Sequence, residues 1–261
     1  MNNLHGKVAL ITGAGSGIGA ATALLFARRG AKLSLAGRKE ANLRRVGDEC
    51  ASVGPSDAEH PLIVVTELTR EADVTNLVDT TVKRFGRLDI LVNNAGTFQL
   101  GTIESTSLEQ YDRVMNLNVR SAFHLTTLCV PHLIAAGGSV VNVSSVIGTR
   151  SFAGCLVSCM SKSAVNQMTA GTALELASKG VRVNSVNPGV TATGSLTRMV
   201  GMSDDEYAKY LDNMKEVHPL GRVGEAEDVA QAIAFLASNS ASFITGEHLH
   251  VDGGWHATCP R

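Results

Sequence analysis

The stretch "KVALITGAGSGIGA" (residues 7–20) decides how this chain is read. Its first half, "KVALIT", is an unbroken apolar and β-branched run, as in a strand buried on both faces. Its second half turns on Gly13, Gly17 and Gly19, which let the backbone bend sharply and come close to a ligand. Next comes "IGAATALLFARRG", a helical pattern closing at Gly30, where a glycine suits the end of a helix. A strand, a glycine turn and a helix in that order aim free N–H groups and a positive dipole end at one point, where a phosphate would be held. Any tight strand–helix turn can use glycine. The position between strand and helix is what makes dinucleotide binding the stronger reading.

Outward from this unit the alternation repeats. "KLSLAG", "PLIVVTEL", "LDILVNNAG", "GSVVNVSS", "VRVNSVNPG" and "EHLHVDGG" read as further strands. Helical spacing covers residues 40–53, 71–85, 108–129 (ending near Pro131), 155–178, 202–216 and 225–237. Apolar strands that alternate with helices imply a parallel sheet covered on both faces. The expected fold is therefore α/β, a single-domain Rossmann-like doubly wound sheet of about seven strands spanning residues 1–261. On such a sheet ligands bind beyond the carboxyl ends of the strands, so the residues just after each strand carry the interest.

Composition narrows the class. Charged residues make up 18% and the formal net charge is −1, so neither nucleic acid nor an acidic membrane surface is indicated. Arg28–Arg29 and Arg44–Arg45 read as solvated helix faces. The five cysteines (Cys50, Cys129, Cys155, Cys159, Cys259) form no zinc-type spacing with histidine and read as idle thiols in a reducing compartment. No metal site is expected. No secretory leader pattern and no apolar run of about 18 residues is present, so a soluble cytoplasmic protein is the default.

Further motifs extend the pattern. The glycine intervals in "TGAGSGIG" are four and two residues, not those of G-x-G-x-x-G. "NNAG" (93–96) follows the fourth strand. "NVRSAF" (118–123), "SSVIG" (144–148), "SKSAVNQMT" (161–169), "NPGVTATG" (187–194) and "VDGG" (251–254) come in order over about 250 residues. On these motifs the chain resembles the short-chain dehydrogenase/reductase family. The resemblance implies carbonyl–alcohol interconversion by hydride transfer with a nicotinamide dinucleotide, held by Gly13, Ser16, Gly17, Ile18, Gly19, Asn94, Ala95, Gly96, Lys162, Pro188, Gly189, Thr191 and Thr193. Glu67 and Leu68 stand where that family has Asp and an apolar residue beside the adenine.

The second strand ends in Gly37 and then Arg38. An acidic residue there would bond the adenosine ribose and repel a 2′-phosphate; arginine offers a planar fork of donors suited to phosphate. NADP(H) is therefore expected, with NAD(H) as the alternative if Arg38 is a surface residue or stacks on adenine.

The resemblance also implies a catalytic set of Asn118, Ser145 and Lys162, with residue 158 as the proton donor. Relatives carry tyrosine at that position. Here it is Ser158, and Tyr111, Tyr207 and Tyr210 lie at other spacings. A serine hydroxyl is a far weaker acid than a phenol and is shorter, leaving a hole for water. Three readings stay open: a substitution made to trap a complex, a natural variant with weak or altered catalysis, or a catalytically silent cofactor- or ligand-binding protein. Cys155 or Cys159 could stand in, with a thiol pKa near 8.5, and so could Tyr207 or Tyr210 by swinging inward.

Residues 194–217 read as a lid, with Leu196, Met199, Met202, Leu211 and Met214 as its apolar face. Val146, Ile147, Phe152 and Leu156 are further pocket candidates for a medium-sized apolar ketone or alcohol. Ala164, Ala170, Gly171, Ala173 and Ala177 make a small-residue helix. Relatives pair that helix across two-fold axes, which implies a homotetramer.

Overall fold

Val8–Thr12 forms β1, buried at every residue. Its side chains alternate between two cores, Ala9 and Ile11 toward one and Val8 and Leu10 toward the other. That alternation is why an unbroken apolar run is required of a central strand. The computed structural model describes residues 4–56, 59–194 and 201–258.

Beyond β1 come α1 (Gly17–Arg28), β2 (Lys32–Gly37), α2 (Glu40–Val53), β3 (Leu62–Val65), α3 (Glu71–Phe85) and β4 (Ile90–Asn93). The second half holds α4 (Leu108–Met115), α5 (Ser121–Ala136), β5 (Ser139–Val143), α6 (Leu156–Ala177) and β6 (Arg182–Pro188). Last come β7 (Thr191–Ala192), α7 (Asp204–Lys215), β8 (Gly224–Glu225), α8 (Ala226–Ala237) and β9 (His248–Val251). Seven strands pair in the order β3-β2-β1-β4-β5-β6-β9, all parallel. Helices α1, α2 and α8 pack one face through Phe26, Leu43 and Ile233, while α3, α5 and α6 pack the other through Leu77, Leu125 and Leu176. The strand order reverses between β1 and β4, so the loops after these two strands diverge and open a crevice. This is the expected single-domain doubly wound architecture.

Two local features differ from the expected helix over 108–129. The helix is interrupted by a π-type turn at Asn116–Arg120, in which the Ser121 N–H reaches back to the Asn116 carbonyl. It then runs through Pro131 to Ala136 and stops at Gly137, which has φ 56°. Pro131 removes one backbone donor, a cost of about 3 kcal/mol in an isolated helix. Cys129 and Leu133, both fully buried on either side of it, hold the helix against the sheet and override that penalty. At the opposite end of the sheet Asp89 ties β1 to β4. Its carboxylate accepts from the Val8 N–H (3.0 Å), Lys7 (3.1 Å) and Arg87. Burial pushes its pKa up, but the bonds from Arg87, Val8 and Lys7 outweigh burial and the net shift is down.

Candidate active site

The glycine turn is shaped by what lies behind it. Thr12 Oγ1 accepts the N–H groups of both Asn94 and Ala95, each at 3.0 Å, which stitches the exit of β4 to the exit of β1. Asn94 Nδ2 then donates to the carbonyls of Thr12 (2.8 Å) and Gly13 (3.3 Å). Gly13 and Gly17 take φ of +64° and +55°, where a side chain would be strained. At Gly19 a Cβ would sit 2.4 Å from the Gly13 carbonyl oxygen and 2.5 Å from Asn94 Nδ2, so only glycine fits. Ser16 precedes α1 in extended backbone, and Ile18 packs on the core below. The result is a helix N-terminus under a backbone hollow, the arrangement that holds a diphosphate.

A second group gathers at the exit of β5. Ser145 opens a 3₁₀ turn over Val146–Gly148; its hydroxyl accepts from the Ile147 N–H (3.3 Å) and reaches the Pro188 carbonyl at 3.4 Å. Both contacts are long, so a ligand oxygen can displace them cheaply. Lys162, on α6, donates to the Val143 carbonyl at 2.8 Å, two residues before Ser145. Burial lowers its pKa to about 8. An ammonium has three donors and Val143 takes one, leaving two for the cleft. Gly96 lies over this group: a Cβ there would be 3.5 Å from Lys162 Nζ and 3.2 Å from Asn118 Oδ1. Asn118 sits in the π-type turn, 3% exposed, and its amide bonds Thr97 on one side and Ser161 Oγ (3.0 Å) on the other. Extra residues of this kind inside a helix recur at functional sites. Asn118 and Lys162 thus both lie against Gly96, and Ser145 stands two residues beyond the carbonyl that Lys162 bonds.

Ser158 lies one turn before Lys162 but does not face an open hole. It is 1% exposed, and its hydroxyl both accepts from the Gln99 N–H (2.8 Å) and donates to the Gln99 carbonyl (3.0 Å). In place of the water-filled gap expected at this position, the Gln99 main chain lies against the Ser158 hydroxyl. The cysteine alternative fares poorly as well. Cys155 and Cys159 are buried with their sulfurs 3.6 Å apart. Burial, then the Cys159 bond, pushes the Cys155 thiol up to about 12, far from the ordinary value that made it a candidate acid. Cys50 and Cys129 are also buried and free; Cys259 lies outside the described residues. Tyr207 uses its hydroxyl to accept from the Gly194 N–H at 3.2 Å. Tyr210 is raised by burial, then by its neighbours Tyr207 and Cys155, which makes it a weaker acid.

At the tip of β2, Arg38 is 73% exposed, with Glu67 Oε2 3.9 Å away. A pair this long and open contributes little, so the guanidinium is available to an anion. Glu67 also accepts from Thr69 Oγ1 (3.0 Å), while the Leu68 side chain turns into the core. Beyond β6, Pro188 ends the strand and Gly189 passes so close to His218 that a Cβ would be 2.7 Å from Nε2. Thr191 opens β7 and bonds the Gly189 carbonyl at 3.3 Å; Thr193 follows β7. Leu196 and Met199 of the expected lid lie outside the described residues. Of the further pocket candidates, Val146 is buried, and Phe152 packs on Trp255 at 4.9 Å between ring centres.

Two positions went unread in the sequence. His218 is buried, accepts from the Val190 N–H at 3.3 Å, and bonds the Met214 carbonyl at 2.6 Å, fixing the loop after β6. A lone histidine after a helix carries no signal of that role. Gln99, three residues beyond "NNAG", could have been flagged only by its nearness to that motif. Among the described residues no helix is long and apolar enough to cross a membrane, and no group of three metal-ligating side chains occurs.

Comparison with known proteins bears on this geometry. Residues 13–256 match the family described as enoyl-(acyl carrier protein) reductase. A 3-oxoacyl-[acyl-carrier-protein] reductase of Thermotoga maritima is 38% identical over 96% of this chain and 98% of its own. A cyclohexanol dehydrogenase of Acinetobacter sp. is 36% identical over 97% of this chain and 96% of its own. A crystal structure of a short-chain type dehydrogenase/reductase from Mycobacterium marinum superposes with a TM-score of 0.89 at 32% identity, covering 99% of this chain and 98% of that one. A one-domain α/β oxidoreductase scaffold is the class these likenesses define. The chain belongs to the short-chain dehydrogenase/reductase family.

Proposed function

We propose that this chain is an NADP(H)-dependent oxidoreductase that interconverts a carbonyl and a secondary alcohol without a phenolic proton donor. The observation that carries the reading is that Lys162 Nζ bonds the Val143 carbonyl, two residues before Ser145 at the exit of β5, while Lys162 and Asn118 both lie against Gly96. The hollow above Gly13, Ser16, Gly17, Ile18 and Gly19 would take the diphosphate, with Asn94, Ala95 and Gly96 along the ribose. Pro188, Gly189, Thr191 and Thr193 would flank the nicotinamide, and Glu67 and the Leu68 main chain the adenine. Bound there, a reduced nicotinamide would supply hydride chemistry for a carbonyl carbon. Ser145 would orient the carbonyl oxygen by a hydrogen bond. Lys162 would hold the ribose with one N–H and meet the negative charge growing on the substrate oxygen. Ser158 has no proton to spare, because Gln99 occupies it on both sides. The proton for the alkoxide therefore comes from the Lys162 ammonium, directly or through one water.

Cofactor choice is tested by titrating NADPH and NADH separately. NADPH is expected to bind at least about tenfold more tightly, reflecting a charge-assisted bond from Arg38 to the 2′-phosphate. Arg38→Glu should reverse the order, and tighter NADH binding by the unaltered chain would end the claim.

A second reading, a silent NADP(H)-binding regulatory or ligand-binding protein, draws on the occupied hydroxyl of Ser158. It forecasts cofactor binding without turnover on any carbonyl of a broad panel.

A homotetramer in a cytoplasmic setting completes the proposal. Leu174 on α6 is 82% exposed, and a separate groove of about 290 Å³ is lined by Met115, Asn116, Val119, Arg120, Phe123 and Met168. Apolar patches of this kind mark subunit contacts. Sedimentation should give a mass near four chains; a monomer at micromolar concentration would refute it.

A further inference from the structure

We propose that Ser158 is a positioning residue, the middle rung of a three-rung clamp that fixes residues 97–101 along the N-terminal end of α6 and so sets one wall of the cleft. The pattern is in the alternate residues. Thr97 uses its N–H and its carbonyl on the Asn118 amide, at 2.8 and 2.9 Å. Gln99 uses both on the Ser158 hydroxyl, at 2.8 and 3.0 Å. Gly101 uses both on the main chain around Cys155, donating to the Gly154 carbonyl (2.8 Å) and accepting from the Leu156 N–H (3.2 Å).

In an extended chain the N–H and carbonyl of every second residue point to one side. Residues 97, 99 and 101 spend all six of those groups on a single edge, as a strand does against its neighbour. Among the described residues no strand lies along that edge, which holds only the isolated parallel bridge between Gly101 and Cys155. Two side chains, a carboxamide and a hydroxyl, stand in for two of the three rungs, and each is a donor and an acceptor at once. A hydroxyl one bond from Cβ can reach both groups of Gln99; an apolar side chain can reach neither. The Gln99 side chain is itself tied back to Arg113 on α4, which secures the same rung from the outside. The clamp also explains why Gly96 overhangs Lys162: the segment is anchored immediately beyond it.

Serine at this position therefore does something that the loss of a proton donor does not describe. The hydroxyl holds a loop. The inference concerns the site proposed above but rests only on these hydrogen bonds, and its test needs no bound dinucleotide.

Amide hydrogen exchange resolved to single residues is measured on the unaltered chain, Ser158→Ala, Ser158→Cys and Ser158→Thr, without cofactor. The Gln99 amide is expected to exchange at least about tenfold faster in Ser158→Ala, since one hydrogen bond of ordinary strength protects by that factor. The Thr97 and Gly101 amides, held by other partners, should change less than about threefold. Ser158→Thr should restore protection, and Ser158→Cys, a weaker partner, should fall between. Equal protection of Gln99 in Ser158→Ala and the unaltered chain would overturn the clamp. A uniform rise across all three amides would overturn it too, because that marks general loosening. If the extra methyl of Ser158→Thr prevents folding, the order alanine, cysteine, serine still decides the matter: exchange that does not fall along that series sinks the proposal.

Discussion

Ser158→Tyr should raise NADPH-dependent carbonyl reduction by about a hundredfold or more, because a positioned general acid contributes about 10²–10⁴. Lys162 stands one turn further on, where a positive neighbour lowers a phenol toward the working range. The gain has an opposing cost, since the phenol must displace the Gln99 main chain from the place it now holds. Leaving a buried donor and acceptor unpaired costs about 1–3 kcal/mol each. Gln99 is only partly buried, so water recovers much of that, and a net loss of about 1–2 kcal/mol is expected in denaturant titration. Faster turnover in a less stable protein is the combined signature. Stability lost with no gain in rate, while NADPH still binds, would mean that the substrate side of the cleft has closed for good and would favour the silent binding protein.

How much of this could be read from the chain alone follows from the range of each interaction. The doubly wound sheet was legible because the central runs Val8–Ile11, Ile90–Val92 and Val140–Val141 are buried and apolar without interruption, a purely local requirement of a strand covered on both faces. The glycine hollow was legible for the same reason: Gly13 and Gly17 need positive φ, and Gly19 needs the space that a Cβ would take. Pro131 misled because its local cost is real, yet it is overridden by Cys129 and Leu133 packing on a sheet far away in sequence. The fate of the Ser158 hydroxyl was not legible at all. Residue type and spacing place it beside Lys162, but its partner Gln99 is 59 residues away and bonds through its main chain, which leaves no mark on side-chain identity. The same holds for His218, whose value lies in a main-chain N–H 28 residues distant.

The second large effect concerns Lys162. In the reaction proposed here, reduction needs this group as the ammonium. Burial lowers its pKa to about 8, so the sign is fixed: below pH 8 it is protonated and reduction runs at its plateau. Above pH 8 the fraction that can give a proton falls about tenfold per pH unit, and the rate should fall with it. Alcohol oxidation should show the mirror image, rising through the same pH as the neutral amine becomes available to accept. Lys162→Arg separates this role from charge and binding. The guanidinium keeps its positive charge and several donors, so cofactor binding should survive in part, but it holds its proton beyond pH 12. Reduction should then drop by about 10²–10⁴ and lose its descending limb near pH 8. The two substitutions also cross-check each other. With a phenol at 158 the proton comes from a different group, so the limb in Ser158→Tyr should move away from pH 8, and adding Lys162→Arg should cost less than it does beside serine. A rate of reduction that stays flat from pH 7 to pH 10 in the unaltered chain would rule Lys162 out as the acid, and with it the account of how this cleft works without a tyrosine.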